Sequence, residues 1–183
     1  MKILKGLIAV FLILILCMTG SAAFWSTSPP KPPVDFPFDV SRRDSTVNKE
    51  ISIREYRSYY FALQFDCLDR ADYDRVMALV GDGGRYPDGR YGHPGVIVPI
   101  HIKLIRLETG KNPETVYDGT VETQAIYAGI SGALLREIIV IDLKPGIYRV
   151  EASTIKDSPA FTGTSSHLFI QYHPNLKFMP NRK

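Results

Sequence analysis

Residues 137–150 read EIIVIDLKPGIYRV, and this stretch decides the fold class. Glu137–Leu143 is apolar on both faces and predicts a central strand. Pro145-Gly146 predicts a tight turn into a second strand at Ile147–Ile155. On that strand Tyr148 has the inward parity, so we expect its hydroxyl to bond to the backbone upstream of the turn. The stretch therefore predicts two antiparallel strands joined by a short turn, a typical element of all-β folds.

Strand patterns recur along the rest of the chain, separated by Gly, Pro and Asp. The further predicted strands are Tyr59–Phe65, Val96–Leu107, Val116–Ile126 and His167–Tyr172. The second of these changes its apolar side near Leu104, which predicts a β-bulge, and the third is more polar and is expected nearer a sheet edge. The spacing indicates an all-β antiparallel Greek-key sandwich, not βαβ units. The turn at 143–150 resembles those of immunoglobulin-like and transthyretin-like modules.

One short helix is predicted among the strands. Asp69 can cap a helix over Arg70–Val80, and Gly81 follows as a C-terminal stop. Apolar residues recur on one side of this segment at helical spacing, namely Tyr73, Val76, Met77 and Val80. That side is predicted to pack against a sheet.

Composition and charge exclude several classes of function. The chain has 22 Lys and Arg against 19 Asp and Glu, a formal charge of +3. Lys2 and Lys5 lie in a segment expected to be removed or held at the membrane, and without them the balance is 20 against 19, or +1. Nucleic-acid binding is therefore not expected, because it needs a basic surface stripe. Two cysteines exclude a disulfide-rich scaffold and a thiolate zinc cluster.

The first 25 residues predict export. Lys2 and Lys5 precede the apolar run Gly6–Met18, and small residues at 21–23 suit cleavage before Phe24, so residues 1–23 are predicted to be a signal peptide. Two alternatives stay open. The run continues to Trp25, long enough for a retained membrane anchor, and Cys17 ends a segment that imitates a lipoprotein processing box. All three interpretations place the rest of the chain in the periplasm.

A proline-rich linker is predicted between this segment and the folded part. Residues 24–35 include consecutive prolines, which lock φ and remove amide donors, so we expect a stiff polyproline tether. The remaining residues, 36–183, are predicted to form a single β-sandwich domain, which fits the chain length of 183 residues.

The segment Gly81–Gly95 is the candidate binding loop. It reads GDGGRYPDGRYGHPG, repeats Gly-Arg-Tyr, and is long for a connection between elements. Guanidinium groups and tyrosine rings are typical anchors of protein interfaces. The predicted partner-binding residues are Arg85, Tyr86, Asp88, Arg90, Tyr91 and His93. A solvated connection whose rings lie on their own sandwich is an equally open alternative.

The sequence shows no motif of a known active site. No G-x-S-x-G elbow occurs, and Ser166 and His167 are neighbours on a strand, so their side chains face opposite ways and make a poor catalytic dyad. Cys67 is expected to be a small buried hydrophobe. The four histidines lack metal-ligand spacing and are expected at solvent-facing positions. We therefore predict no catalytic residue, no metal and no cofactor.

Four segments carry a family resemblance: Phe36–Val40, Glu55–Tyr60, Ala71–Arg75 and Val98–Ile102. Across residues 36–178 the chain resembles a little-characterised family of small exported proteobacterial proteins. These are similar in build to periplasmic immunity proteins, which neutralise effectors of contact-dependent systems such as type VI secretion, including antibacterial phospholipases. The resemblance implies a non-enzymatic periplasmic inhibitor of a toxin and supplies no catalytic residues. The sequence leaves open an envelope module for a glycan or lipid headgroup, and a small hydrolase with an unrecognised site.

Overall fold

The structure is a computed structural model that describes residues 28–83, 92–130 and 132–172. Its strands are β1 (Val34–Pro37), β2 (Thr46–Ile53), β3 (Arg57–Asp66), β4 (Val98–Leu107), β5 (Glu114–Thr123), β6 (Ala128–Ile130), β7 (Ala133–Leu143), β8 (Gly146–Thr154) and β9 (Ser166–Tyr172). Helix α1 spans Arg70–Val80, and a short 3-10 turn spans Pro159–Phe161.

Two antiparallel sheets share one hydrophobic core. One sheet has the order β1-β9-β3-β7-β6 and the other β2-β8-β4-β5. Phe61 and Leu63 of the first sheet and Ile100 and Ile102 of the second are fully buried in the same apolar cluster. Within the described ranges the protein is therefore an all-β, sandwich-like fold with one short α-helix, as the strand patterns predict.

The local predictions of bulge, edge and helix are confirmed. The register of β4 against β5 shifts between Leu104 and Ile105, which is the predicted bulge. The polar strand β5 lies at a sheet edge. The Asp69 carboxylate accepts a hydrogen bond of 2.8 Å from the Asp72 amide and so caps α1. The predicted inner face of α1 packs on the core through the buried Val76 and Val80.

Tyr148 occupies the predicted inward position. Its hydroxyl donates to the Lys144 carbonyl at 2.9 Å, and only 2% of the residue is exposed. Tyr59 makes the same kind of bond, donating to the Glu55 carbonyl at 3.2 Å. Burial raises the pKa of both hydroxyls, so both stay protonated and able to donate. Each tyrosine ties the start of its strand to the residue four positions upstream.

Several strands differ from the sequence-based prediction. The patterns do not predict β1, β2 or β6, and β7 begins at Ala133, before the predicted start. In β2 the buried residues Val47, Ile51 and Ile53 share a parity with the exposed Lys49, which interrupts the alternation. β6 has three residues, too few to form a pattern.

The predicted signal peptide (residues 1–23), with Cys17, lies outside the described residues, and the domain bounds stay predictions. Among the residues that the structure describes, no helix is long and apolar enough to cross a membrane.

Candidate functional site

The candidate site is the predicted binding loop, which connects α1 to β4. Of the predicted site residues, only His93 is among those described, and it is exposed. Its Nδ1 atom accepts a hydrogen bond of 3.0 Å from the Gly95 amide, so the ring is held against its own end of the loop. The others lie outside the described residues: Arg85, Tyr86, Asp88, Arg90 and Tyr91.

The two ends of this loop, residues 79–83 and 92–96, form a structure that we call the neck. Across the neck the Asp82 amide donates to the His93 carbonyl at 3.1 Å. One step further from the loop, the Val96 amide donates to the Leu79 carbonyl at 2.7 Å. These bonds hold the end of α1 beside the segment that enters β4, so the loop leaves and rejoins the domain at one point.

The neck is also bonded to the connection between β5 and β6. The Ile126 amide donates to the Gly81 carbonyl at 3.1 Å, and the Ala125 amide donates to the Pro94 carbonyl at 2.8 Å. Both ends of the loop are therefore fastened to a third segment. Their backbone groups are paired within the protein, and this arrangement limits how the base of the loop can move.

Two glycines make this close approach of backbones possible. Gly81 has φ +89° and Gly95 has φ +72°, both in the left-handed region that favours glycine. A Cβ atom on Gly81 would lie 2.3 Å from the His93 carbonyl oxygen, and one on Gly95 would lie 2.3 Å from the Leu79 carbonyl oxygen. Larger residues at either position would force the two ends of the loop apart.

Arg136 of β7 binds the neck from inside the protein. Its Nη1 donates to the carbonyls of Val96 at 2.7 Å and Thr123 at 3.4 Å. Its Nη2 donates to the carbonyls of Leu79 at 3.2 Å and of Val80. The planar guanidinium fork can reach several carbonyls at once, and here it joins the end of α1, the approach to β4 and the end of β5.

Among the described residues, the hydrogen-bond partners of the Arg136 guanidinium are backbone carbonyls and not carboxylates. The residue is 0% exposed, and desolvation lowers the pKa of its guanidinium to about 10, so it remains charged at neutral pH. The carbonyls of Leu79 and Val80 belong to the last turn of α1, where the helix dipole is negative. The rings of Phe65 and Phe161 lie 5.8 and 5.9 Å from its Cζ and add cation–π contacts.

The sequence-based prediction missed Arg136. Along β7 it shares the inward parity of Leu134 and Ile138, both of which are buried in the main core. A cation in phase with the core residues Leu134 and Ile138 is the signal that marks it. Such a cation has to find backbone acceptors, and the ends of helices are the usual place for them.

A second polar cluster joins β1, β3 and β9. His167 Nε2 lies 3.0 Å from Asp66 Oδ2, and His167 Nδ1 lies 3.4 Å from Asp35 Oδ2. The Ser165 hydroxyl donates to Asp66 at 2.8 Å and lies 3.1 Å from His167 Nε2. His167 alternates with the buried Ser166 and Leu168 and is therefore on the outward side of β9, but neighbouring carboxylates leave only 19% of its side chain exposed. β9 lies between β1 and β3 in its sheet, so His167 has neighbours from both strands.

This cluster has the residue types of a hydrolytic triad, but His167 Nδ1, the atom that an orienting carboxylate would bind, has no hydrogen-bond partner among the described residues. The Ser165 hydroxyl donates to Asp66, and in this arrangement its proton is not given to the imidazole. Desolvation would raise the pKa of Asp66, but hydrogen bonds from Gln64 and Ser165 and the charge of His167 outweigh it and lower that pKa. The Ser166 side chain faces inward, and its hydroxyl donates to the Phe38 carbonyl at 2.7 Å. It is therefore on the opposite side of the strand from His167, as the sequence predicts.

No group of three or more His, Cys, Asp or Glu residues is arranged within the described ranges to hold a metal ion. Cys67 is half-buried, and burial together with the charges of Asp72 and Asp66 raises the pKa of its thiol. A protonated thiol is a weak nucleophile, so Cys67 is suited to packing.

Comparison with known proteins places the chain in a family. A family model described as a domain of unknown function, DUF5625, matches residues 35–172. The chain belongs to this family. A crystal structure of a protein from Sulfurospirillum deleyianum is similar, with a TM-score of 0.68 and 24% identity over 78% of this chain and 98% of that one. At this identity the likeness concerns the fold alone. No curated protein matches the chain in sequence.

Proposed function

We propose that this protein is a non-enzymatic, periplasmic binding protein and that the loop at 81–95 contacts its partner. The observation that supports the proposal is the neck. Arg136, the two glycines and the bonds to the β5–β6 connection hold the base of an Arg- and Tyr-rich loop on a rigid scaffold. Recognition residues are commonly presented in this way, because a fixed base reduces the entropy lost on binding.

The partner that we propose is a secreted antibacterial effector such as a phospholipase, which makes the protein an immunity protein. This part rests on the resemblance of residues 36–178 to immunity proteins and on the loop composition. Arg85, Tyr86, Arg90 and Tyr91 are residue types that concentrate binding energy in interfaces. An inhibitor needs only to cover the entrance of its target's active site, which requires shape and anchors but no catalytic group.

For the finer architecture we propose an immunoglobulin-like Greek-key arrangement. Strands distant in sequence are neighbours in both sheets, since β9 pairs with β3 and β8 lies between β2 and β4. Long connections of this kind generate Greek keys. The Tyr148 hydroxyl bond resembles the tyrosine corner of such sandwiches.

The test is a binding measurement with the product of the gene next to the one encoding this protein, which we expect to be a toxin. We expect the two proteins to co-purify from envelope extract. We expect the quadruple variant Arg85→Ala, Tyr86→Ala, Arg90→Ala, Tyr91→Ala to lose more than about 2 kcal/mol of affinity in calorimetric titration, because interface energy concentrates in such anchors. Its thermal melt should match that of the wild type, since the neck is unchanged.

A matched control replaces two exposed arginines outside the loop, Arg42→Ala and Arg43→Ala, whose side chains are 78% and 66% exposed. This variant should bind as tightly as the wild type. If the quadruple variant keeps both its affinity and its melting temperature, the binding surface lies elsewhere and the loop is a solvated connection.

A further inference from the structure

A polar cleft lies between the chain segment that precedes β1, the turn from β2 to β3, and the end of β9. Its volume is about 250 Å³. It is lined by Lys31, Pro32, Ser52, Arg54, Glu55, Arg57, Tyr59 and Tyr172. Pockets that enclose drug-sized ligands measure roughly 300–1,000 Å³, so this cleft suits a compact group.

The cleft carries an excess of positive charge. Lys31, Arg54 and Arg57 contribute three cations, and Glu55 contributes the one carboxylate. Glu55 lies 3.2 Å from Arg57, but its side chain is 71% exposed, so it neutralises the cleft weakly. Lys31 and Arg54 form no ion pair or hydrogen bond with any described residue. Within the described ranges, two cations beside one cavity therefore have no anionic partner.

The walls of the cleft are built from ordered contacts. The Pro30 carbonyl accepts a hydrogen bond of 2.8 Å from the Ser52 amide, which docks the segment carrying Lys31 onto β2. The Arg57 guanidinium lies 4.3 Å from the centre of the Tyr172 ring, which orients it by a cation–π contact. The Tyr59 hydroxyl bonds to the Glu55 carbonyl and holds the turn between the strands.

We propose that this cleft binds a phosphate group, either as free phosphate or as the headgroup of an anionic phospholipid. Two guanidinium groups and one ammonium carry more positive charge than the single carboxylate of Glu55 can neutralise. Their charge and their several N–H donors match the negative charge and the several acceptor oxygens of a phosphate group. Ser52 and Tyr172 line the same cleft and are residue types that carry neutral hydroxyl donors. The site is separate from the neck, so it is independent of the proposed protein partner.

The experiment measures two ligands with the full protein purified from the envelope. Calorimetry follows inorganic phosphate, and flotation follows phosphatidylcholine vesicles with and without phosphatidylglycerol. The variant Lys31→Gln, Arg54→Gln should weaken binding by about 100-fold, at about tenfold for each charged contact removed. The control Lys49→Gln, Lys156→Gln removes two exposed cations that do not line the cleft and should bind as the wild type does.

Each outcome decides the proposal. Phosphate binding that the cleft variant abolishes supports it with free phosphate as ligand. Binding to phosphatidylglycerol vesicles alone, reduced by the cleft variant and not by the control, supports it with a lipid headgroup as ligand. The proposal is overturned if neither ligand binds or if the cleft variant and the control behave alike. Raised salt should weaken true binding, because the cations are near the surface.

Discussion

Arg136 fastens three elements at one point, because its guanidinium donates to carbonyls at the end of α1, before β4 and at the end of β5. We expect Arg136→Met to destabilise the domain by about 3 kcal/mol or more, since several buried carbonyls lose their donor. Arg136→Lys should be intermediate in stability, because an ammonium is a point charge that cannot span the same acceptors. Urea denaturation of each variant measures the change.

The control for this prediction is Arg149→Met on β8. Arg149 is 40% exposed and pairs with Glu50 at 3.5 Å, so its loss should change the unfolding free energy by about 0–1 kcal/mol. If Arg136→Met unfolds at the same urea concentration as the wild type, the cost of burying the charge cancels its hydrogen bonds. In that case Arg136 is not what holds the neck.

Tyr148 separates the contribution of a hydroxyl from that of a ring. Tyr148→Phe removes the bond to Lys144 and should cost about 1 kcal/mol, whereas Tyr148→Ala also leaves a cavity and should cost about 3–5 kcal/mol. Tyr59→Phe should behave like Tyr148→Phe, because its hydroxyl makes the equivalent bond. Tyr172→Phe on the exposed end of β9 should be nearly neutral. A stable Tyr148→Ala variant would show that the ring does not support the core.

The helices and strands whose apolar residues recur at an unbroken spacing can be predicted from the sequence, and the others cannot. Helix α1 has both a cap and a helical stripe, and its bounds agree with the prediction. β2 is not predicted because the exposed Lys49 interrupts its buried alternation. β6 is not predicted because its three residues are defined by their pairing with β7 and carry no pattern of their own. Pairing partners distant in the chain are decided by packing, which a local pattern does not contain.

The candidate site shows the same division at the scale of elements. Composition predicts a binding loop at 81–95, because Arg, Tyr and Gly are concentrated there. The neck that holds it depends on Arg136, more than 40 residues further along the chain, and on close backbone approaches at Gly81 and Gly95. The cationic cleft likewise joins Lys31, the turn after β2 and the end of β9. Contacts between such distant segments are visible only in the folded chain.

At the scale of the whole molecule, the position of the cleft follows from how the domain begins. The Pro30 carbonyl is bonded to Ser52, so the folded part starts within a few residues of the predicted apolar segment. Lys31 is six residues after Trp25, where the apolar run ends, and six residues of chain span at most about 20 Å. If the apolar segment stays in the membrane as an anchor, this tether holds the cleft close to the lipid headgroups, where the phosphate group proposed as its ligand is abundant.

This arrangement requires that the domain lies outside the cytoplasm, and that can be measured directly. Lys2 and Lys5 precede the apolar run, and cations on that side keep the N-terminus in the cytoplasm and send the following chain across. Alkaline phosphatase folds to its active form only outside the cytoplasm, where its disulfides can form. A fusion of the enzyme after Pro33 should therefore be active, and the same fusion without residues 1–23 should be inactive. Equal, low activity of both fusions would place the domain in the cytoplasm, away from a periplasmic partner and from outward-facing headgroups.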